Sequence, residues 1–540
     1  MRQKKTDPEL PILLPFVPGQ ASNGEFVPRE RSRSHRRAEA LAHEMAEQIA
    51  RKQGIDRRRF LQSAGGLAVT LAAINIVGCD DDDGVEPGPT PGGTFAVPTD
   101  ADPDEVCEMI EGDEFIFDVQ THHVDPEGPW VNESPATAGA FRLFPGDPSC
   151  NEADQLDCLS RYYYAHDIFL SSDTAIAVLS DTPSASDSDD PLNFDEMKRT
   201  RDIINELSPA DSGRVRLHSV VVPNVGEIQA SLDRMQARAE EMSVAAWKVY
   251  TPYGGTSGGW FLDDDIGLPV VEKARELGVK TICAHKGLPL FGFDRAYASP
   301  RDIGVVARMY PDMNFVVYHS GWYPGRREGP YDPNTVEGVD VLVKSLLDNG
   351  IEPNSNVYAE LGSTWRNIFS NPTQAAHLLG KLIKYCGEDN VLWGTDCIWT
   401  GSPQPQIAAF RTFQIDPGFA QQFEYGALTP EVKAKIFGLN AARLYGVTDV
   451  DAQRCKIESD EVEQLRTAWR EIDGDSHEVR WVPRGPTTRR SACWTKSTRR
   501  STRTTSAVSA TSFARCPDAC SSSSSPTTRR RWSSRTSCWA

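Results

Sequence analysis

Ligand-type side chains close four short apolar runs, in a fixed order along the chain. Phe115-Ile116-Phe117-Asp118-Val119-Gln120-Thr121 leads to His122 and His123, and Thr281-Ile282-Cys283-Ala284 to His285. Phe315-Val316-Val317-Tyr318 leads to His319, and Val391-Leu392-Trp393-Gly394-Thr395 to Asp396. Imidazoles and carboxylates bind divalent cations and move protons near neutral pH. A β-branched and aromatic run ending in such a side chain reads as a buried strand with its chemistry at the C-terminal end. The chain has ten histidines, and four of them stand at these ends.

Eight strand candidates lie between the two chain ends: Phe115–Gln120, Thr174–Leu179, Val215–Val222, Ala245–Tyr250, Thr281–His285, Asn314–His319, Asn356–Leu361 and Asn390–Thr395. Most are short and largely apolar, as strands covered on both faces should be. Apolar residues at helical spacing fill Phe194–Leu207, Glu227–Ala239, Pro269–Leu277 and Thr373–Tyr385. Strands alternating with helices imply a parallel sheet, and eight of them an α/β fold closed into a (β/α)8 TIM barrel. The strand ends of such a barrel converge on one mouth, so residues far apart in sequence can share one metal ion. The stretch from Val124 to Ser172, rich in Pro, Asp and aromatic residues, is too long for a plain loop and is expected to cap that mouth.

These residues resemble the amidohydrolase superfamily, in its amidohydrolase-related branch of metal-dependent hydrolases and decarboxylases. That family opens with Asp-x-His-x-His after strand 1, then places a His after strand 5, a His after strand 6 and an Asp after strand 8. His122, His285, His319 and Asp396 match in that order, and Leu428–Gly446 resembles the closing helix. The resemblance covers residues 113 to 447. It implies one divalent metal ion, with zinc the expected one, held by His122, His285 and Asp396. Asp396 would take the proton of the activated water, and His319 would polarise the substrate.

Gln120 stands where the family has the first His of its pair. A neutral amide oxygen is a weaker zinc ligand than an imidazole and suits harder cations. Gln120 therefore leaves three outcomes open: weak metal binding, another divalent ion, or a degenerate site. His123 is turned away from His122 by strand alternation. Lys248, near the end of strand 4, matches a position that bridges two metals in binuclear relatives; pairing with Glu360 on strand 7 or with a substrate carboxylate is the reading preferred here. Trp260, Trp322, Trp365 and Trp399 fall on loops at the mouth, where tryptophan forms an apolar substrate wall or packs the rim.

Charge is uneven. The formal net charge is −19, but residues from Gly485 onward carry a balance of +10, leaving −29 for residues 1–484. An acidic body argues against a nucleic-acid partner. Asp56-Arg57-Arg58-Arg59-Phe60-Leu61 matches a twin-arginine export signature, and the uncharged stretch from Ser63 ends at Ile76-Val77-Gly78-Cys79, which resembles a lipobox. That reading makes Cys79 the lipid anchor to a membrane on the periplasmic or extracellular side. The expected organisation is an N-terminal extension at 1–50 that reads as disordered or wrongly assigned to the chain, with Met45 an alternative start; a signal peptide at 51–79; a flexible tether at 80–112; the barrel at 113–447; a helical extension at 448–484; and a Ser/Thr/Arg-rich tail at 485–540 whose composition cannot bury a core and which reads as disordered or out of frame. Cys150 and Cys158 flank a loop that an oxidising exterior would permit to be bridged.

The expected protein is an exported hydrolase acting on an amide, ester or lactone of a small molecule. A non-oxidative decarboxylase of an aromatic acid uses the same constellation. A non-catalytic binding lipoprotein is the alternative that Gln120 favours.

Overall fold

The computed structural model describes residues 14–21, 31–77, 91–98, 106, 112–186, 188–208, 213–241, 243–254, 257–289 and 292–476. Its centre is a single parallel sheet of eight strands in sequence order: β1 (Ile116–Thr121), β2 (Thr174–Leu179), β3 (Val215–Val221), β4 (Val244–Val249), β5 (Thr281–His285), β6 (Asn314–Tyr318), β7 (Val357–Glu360) and β8 (Val391–Leu392). The sheet closes on itself because Val119 N–H donates to Trp393 O at 3.0 Å, Asp396 N–H to Gln120 O at 2.9 Å and His122 N–H to Cys397 O at 2.6 Å. The chain is thus the expected (β/α)8 barrel, and each predicted strand is within two residues of the observed one except the last, where only Val391–Leu392 pairs regularly.

Alternation decides what fills the barrel. Phe117, Val119, Ile176, Val178, Cys283, Val316, Tyr318 and Leu392 point inward and pack on one another, while their neighbours pack outward beneath the helices. Ala441, Ala442 and Tyr445 join the inner set from the closing segment. Gly438 lets that segment approach, since a Cβ there would lie 1.8 Å from Phe115 O. The predicted helices form with local signals in place. Asn193 caps Phe194–Glu206 by accepting from Glu196 N–H, and Asn371 with Pro372 starts Pro372–Tyr385. The helices Val450–Glu458 and Glu461–Ser476 follow the barrel, and Arg214, just before β3, reaches them through Asp460 and Ile457 O.

The insertion after β1 packs onto the mouth as expected of a cap. Phe144 stacks on Trp399 at 4.5 Å and Phe141 meets the same indole at 5.4 Å. Cys150 and Cys158 form a disulfide within it. Cys283 is a free thiol inside the barrel, pushed by burial up to about 11.

Part of the segment read as a flexible tether is ordered. Gly93–Phe95 pairs antiparallel with Phe413–Ile415, and Asn75 brackets Phe95, donating to its O at 2.7 Å and accepting from its N–H at 2.9 Å. Three residues are too few for alternation to signal a strand. The uncharged stretch forms a helix, Ala64–Val77, packed with the alanine-lined face of Arg33–Gln53 (Ala38, Ala42, Ala46). No helix among the described residues is long and apolar enough to cross a membrane. Cys79, most of 80–112 and all of 485–540 lie outside the described residues.

Candidate active site

The strand ends bring His122, His285, His319 and Asp396 together at the mouth, all buried. Each imidazole has one nitrogen fixed by a backbone carbonyl. His122 Nδ1 is 2.6 Å from Ser180 O, His285 Nε2 is 2.9 Å from Leu288 O, and His319 Nδ1 is 2.7 Å from Gly362 O. A carbonyl only accepts, so these three nitrogens carry the protons and the opposite nitrogens are bare. The bare nitrogens face inward. His319 Nε2 lies 3.1 Å from His285 Nδ1, and His122 Nε2 lies 3.1 Å from Asp396 Oδ1.

Lone pair thus meets lone pair twice, which only a proton or a metal cation reconciles. Carbonyl-oriented imidazoles beside a carboxylate are also how proteins prepare metal ligands. The donor set therefore fits a divalent metal in its chemistry. In spacing it forms two pairs: among the described residues, only Asp147, His166 and Asp167 bring three ligand atoms mutually within 4.8 Å.

The carboxylate is held ionised. Burial alone would raise Asp396, but the hydrogen bond and charge it gains when a proton sits on His122 Nε2, with the hydrogen bond from Ser363 Oγ at 2.5 Å, hold it well below the usual carboxylate range. Burial pushes His319 down to about 4 and His285 well below its ordinary value. Two further acids brace the backbone. Glu360, pushed by burial up to about 8, accepts from the N–H groups of His319 and Gly362. Asp118, pushed by burial up to about 7, accepts from Gln120 N–H and Thr395 N–H at 3.1 Å each, tying β1 to the exit of β8. His319, Ser320, Ser363 and Asp396 all have φ between 52° and 62°, a strained region for side-chain-bearing residues that persists only where surroundings enforce it.

Gln120 turns its amide nitrogen toward the site, 3.0 Å from Asp396 Oδ1 and 3.4 Å from His122 Nε2. Its Oε1 is buried without a hydrogen-bond partner, beside Gly362, where a Cβ would lie 2.3 Å away. In this orientation Gln120 is a donor to Asp396. The tautomer of His319 likewise alters its expected role: a bare Nε2 accepts a proton or ligates, and polarises a carbonyl only once protonated. Lys248 is inside the barrel with its ammonium 3.3 Å from the centre of the Tyr318 ring and in electrostatic reach of Glu360. His123 turns away to Thr200 Oγ1 at 2.9 Å, as alternation requires. Trp399 lines the site, stacked on His122 at 5.3 Å, whereas Trp365 packs on Phe410 and Phe413 and belongs to the rim. Sequence reasoning passed over Ser363, Asp118 and Ser180. The Gly362-Ser363 pair directly after strand 7 was the available sign for the first.

The family model described as amidohydrolase matches residues 176–447, from β2 through the closing helix, just over half of the chain. No curated protein matches. Among solved structures, a TIM-barrel protein from Bordetella bronchiseptica is similar at 15% identity, covering 63% of this chain and 99% of that one, with a TM-score of 0.40. A 5-carboxyvanillate decarboxylase from Novosphingobium aromaticivorans with bound manganese is similar at 13% identity, covering 62% and 97%, with a TM-score of 0.39. A probable 2-pyrone-4,6-dicarboxylic acid hydrolase from Acinetobacter baumannii is similar at 10% identity, covering 61% and 99%, with a TM-score of 0.36. On the family match, the chain belongs to the amidohydrolase family.

Proposed function

We propose that this protein is a hydrolase that cleaves an amide, ester or lactone of a small molecule, using one divalent metal held by His122, His285 and Asp396. The observation that carries the reading is the set of proton-accepting groups at the mouth. Asp396 is surrounded by donors from Ser363 and Gln120, and the carbonyls of Gly362 and Leu288 hold His319 and His285 with Nε2 and Nδ1 turned toward each other at 3.1 Å. Hydrolysis needs a base to take a proton from water, whereas decarboxylation must deliver a proton to carbon. When bound, the metal, with zinc the first candidate, supplies Lewis-acid polarisation of the carbonyl and lowers the pKa of water. Asp396 takes the proton of the attacking water. His319 receives it at Nε2, stabilises the oxyanion while charged, and returns it to the leaving heteroatom. Trp399, sandwiched between His122 and Phe144, gives the substrate an apolar wall and keeps bulk water out.

Gln120 supports a second reading, a binding protein with a degenerate site, because its amide nitrogen occupies the side of Asp396 that a ligand would use. Metal retained after dialysis against a weak chelator decides between them. Gln120→His is expected to retain more metal than wild type, by replacing an amide with an imidazole. His319→Ala is expected to retain metal while losing most turnover. Near-zero metal in both wild type and Gln120→His would sink the enzyme reading, and carbon dioxide as product would replace hydrolysis by decarboxylation of an aromatic acid.

The Arg57-Arg58 pair and the lipobox ending at Cys79 support export by the twin-arginine route and anchoring by lipid. Arg57→Lys with Arg58→Lys should strand the precursor in the cytoplasm, and Cys79→Ala should release the protein from the membrane fraction. Continued export of the double variant would remove this assignment.

A further inference from the structure

Inside the cap, away from the four mouth residues, Asp147, His166 and Asp167 bring one ligand atom each to mutual distances within 4.8 Å. His166 Nδ1 is 2.7 Å from Asp167 Oδ1 and 3.4 Å from Asp147 Oδ2. The other ring nitrogen is satisfied separately, with Nε2 3.0 Å from Ser171 Oγ. That contact lets Nε2 carry the ring proton and leaves Nδ1 free to ligate. Asp167 and Asp147 also lie against each other. Two carboxylates in contact repel unless a proton or cation sits between them. An independent sign comes from Asp167 itself. Its side chain is fully buried, yet its Oδ2 has no hydrogen-bond partner.

The chain holds these groups firmly. His166 lies in a π-helical turn, Ala165–Leu170, a geometry that recurs at functional sites. Asp147 accepts from Ser149 N–H at 2.6 Å, and the Cys150–Cys158 disulfide clamps the loop that follows it. Gly146 N–H donates to Trp399 O at 3.1 Å, so the cluster is joined to the residue that stacks on His122. Asp147 and His166 keep about a tenth of their side chains exposed, 10% and 12%, which leaves an entry path.

We propose that Asp147, His166 and Asp167 bind a divalent cation of the zinc or manganese class, separate from the metal at the mouth, which pins the cap over the site. One imidazole and two carboxylates are a mixed nitrogen and oxygen set suited to these ions, and water would complete the coordination. The role is structural: the ion links the 144–150 loop to the 165–170 turn and fixes the wall formed by Phe144 and Trp399.

The test is zinc stoichiometry of the full chain by equilibrium dialysis and mass spectrometry. The double variant Asp147→Asn with His166→Gln is expected to bind one equivalent fewer than wild type. His122→Ala with His285→Ala is expected to lose the other equivalent and keep this one, so failure here and failure at the mouth are distinguishable. A cap variant with wild-type stoichiometry would overturn the proposal and leave an acid pair sharing a proton. A second measurement needs no variant. Diethylpyrocarbonate labelling of His166 in wild-type protein, mapped by mass spectrometry, is expected to fall at least fivefold when zinc is added. Labelling that zinc does not change would equally overturn it.

Discussion

Asp396→Asn is expected to lower kcat on a cleaved amide, ester or lactone about 10³-fold, within the ~10²–10⁴ that a positioned acid–base group contributes. The amide keeps the size of the carboxylate but cannot take a proton. It also gives up the negative charge that Gln120 Nε2, His122 and Ser363 Oγ all approach. Metal retention should fall as well, because a carboxylate ligand becomes a neutral one. Ser363→Ala separates the two effects. It removes one hydrogen bond to Asp396 Oδ2 and should cost far less turnover while leaving the metal bound. A fully active Asp396→Asn enzyme would show that the base lies elsewhere.

The second large effect is on stability. Arg214 sends Nε to Asp460 Oδ2 at 2.6 Å, Nη2 to Asp460 Oδ1 at 2.8 Å, and Nη2 also to Ile457 O at 3.0 Å, with both charged side chains fully buried. Removing one partner of such a pair strands a buried charge, so Arg214→Met should destabilise the fold by about 3–5 kcal/mol in urea unfolding. Replacing both partners, as in Arg214→Met with Asp460→Asn, should recover part of that loss, since the neutral amide removes the stranded charge and keeps an acceptor for Ser208 Oγ and Glu463 N–H. A loss below ~1 kcal/mol for the single variant would mean the pair behaves like a surface ion pair. The contact joins the start of β3 to the helices after the barrel, so it also tests whether Val450–Glu458 and Glu461–Ser476 stabilise the barrel they pack on.

How much of this was legible in the sequence follows from which forces are local. Most strand positions were readable because a buried parallel strand is a largely apolar run, although Val215–Val222 carries Arg216, His218 and Ser219 and stops at Pro223. The helices were readable from spacing and caps, as at Asn193 and Asn371. The donor types at the mouth were readable because a residue's place at a strand end fixes which rim it joins. The ribbon of Gly93–Phe95 with Phe413–Ile415 was not, because its register depends on a partner more than three hundred residues away and on Asn75.

Protonation and orientation belonged to tertiary structure alone. His319 has a bare Nε2 because Gly362 O, from the next strand's exit, takes the Nδ1 proton; His122 owes the same to Ser180 O. Gln120 faces Asp396 with nitrogen because that carboxylate crosses from β8's exit to meet it. Asp147 and His166 are nineteen positions apart within the cap, and become neighbours through a disulfide, a π-helical turn and a bond to Trp399 O. The sequence by itself determined which donors stand at which strand ends, because side-chain type and strand period are local properties. The tertiary structure decided where the protons sit and which lone pairs are left for a cation, because those depend on carbonyls supplied by other strands and on burial.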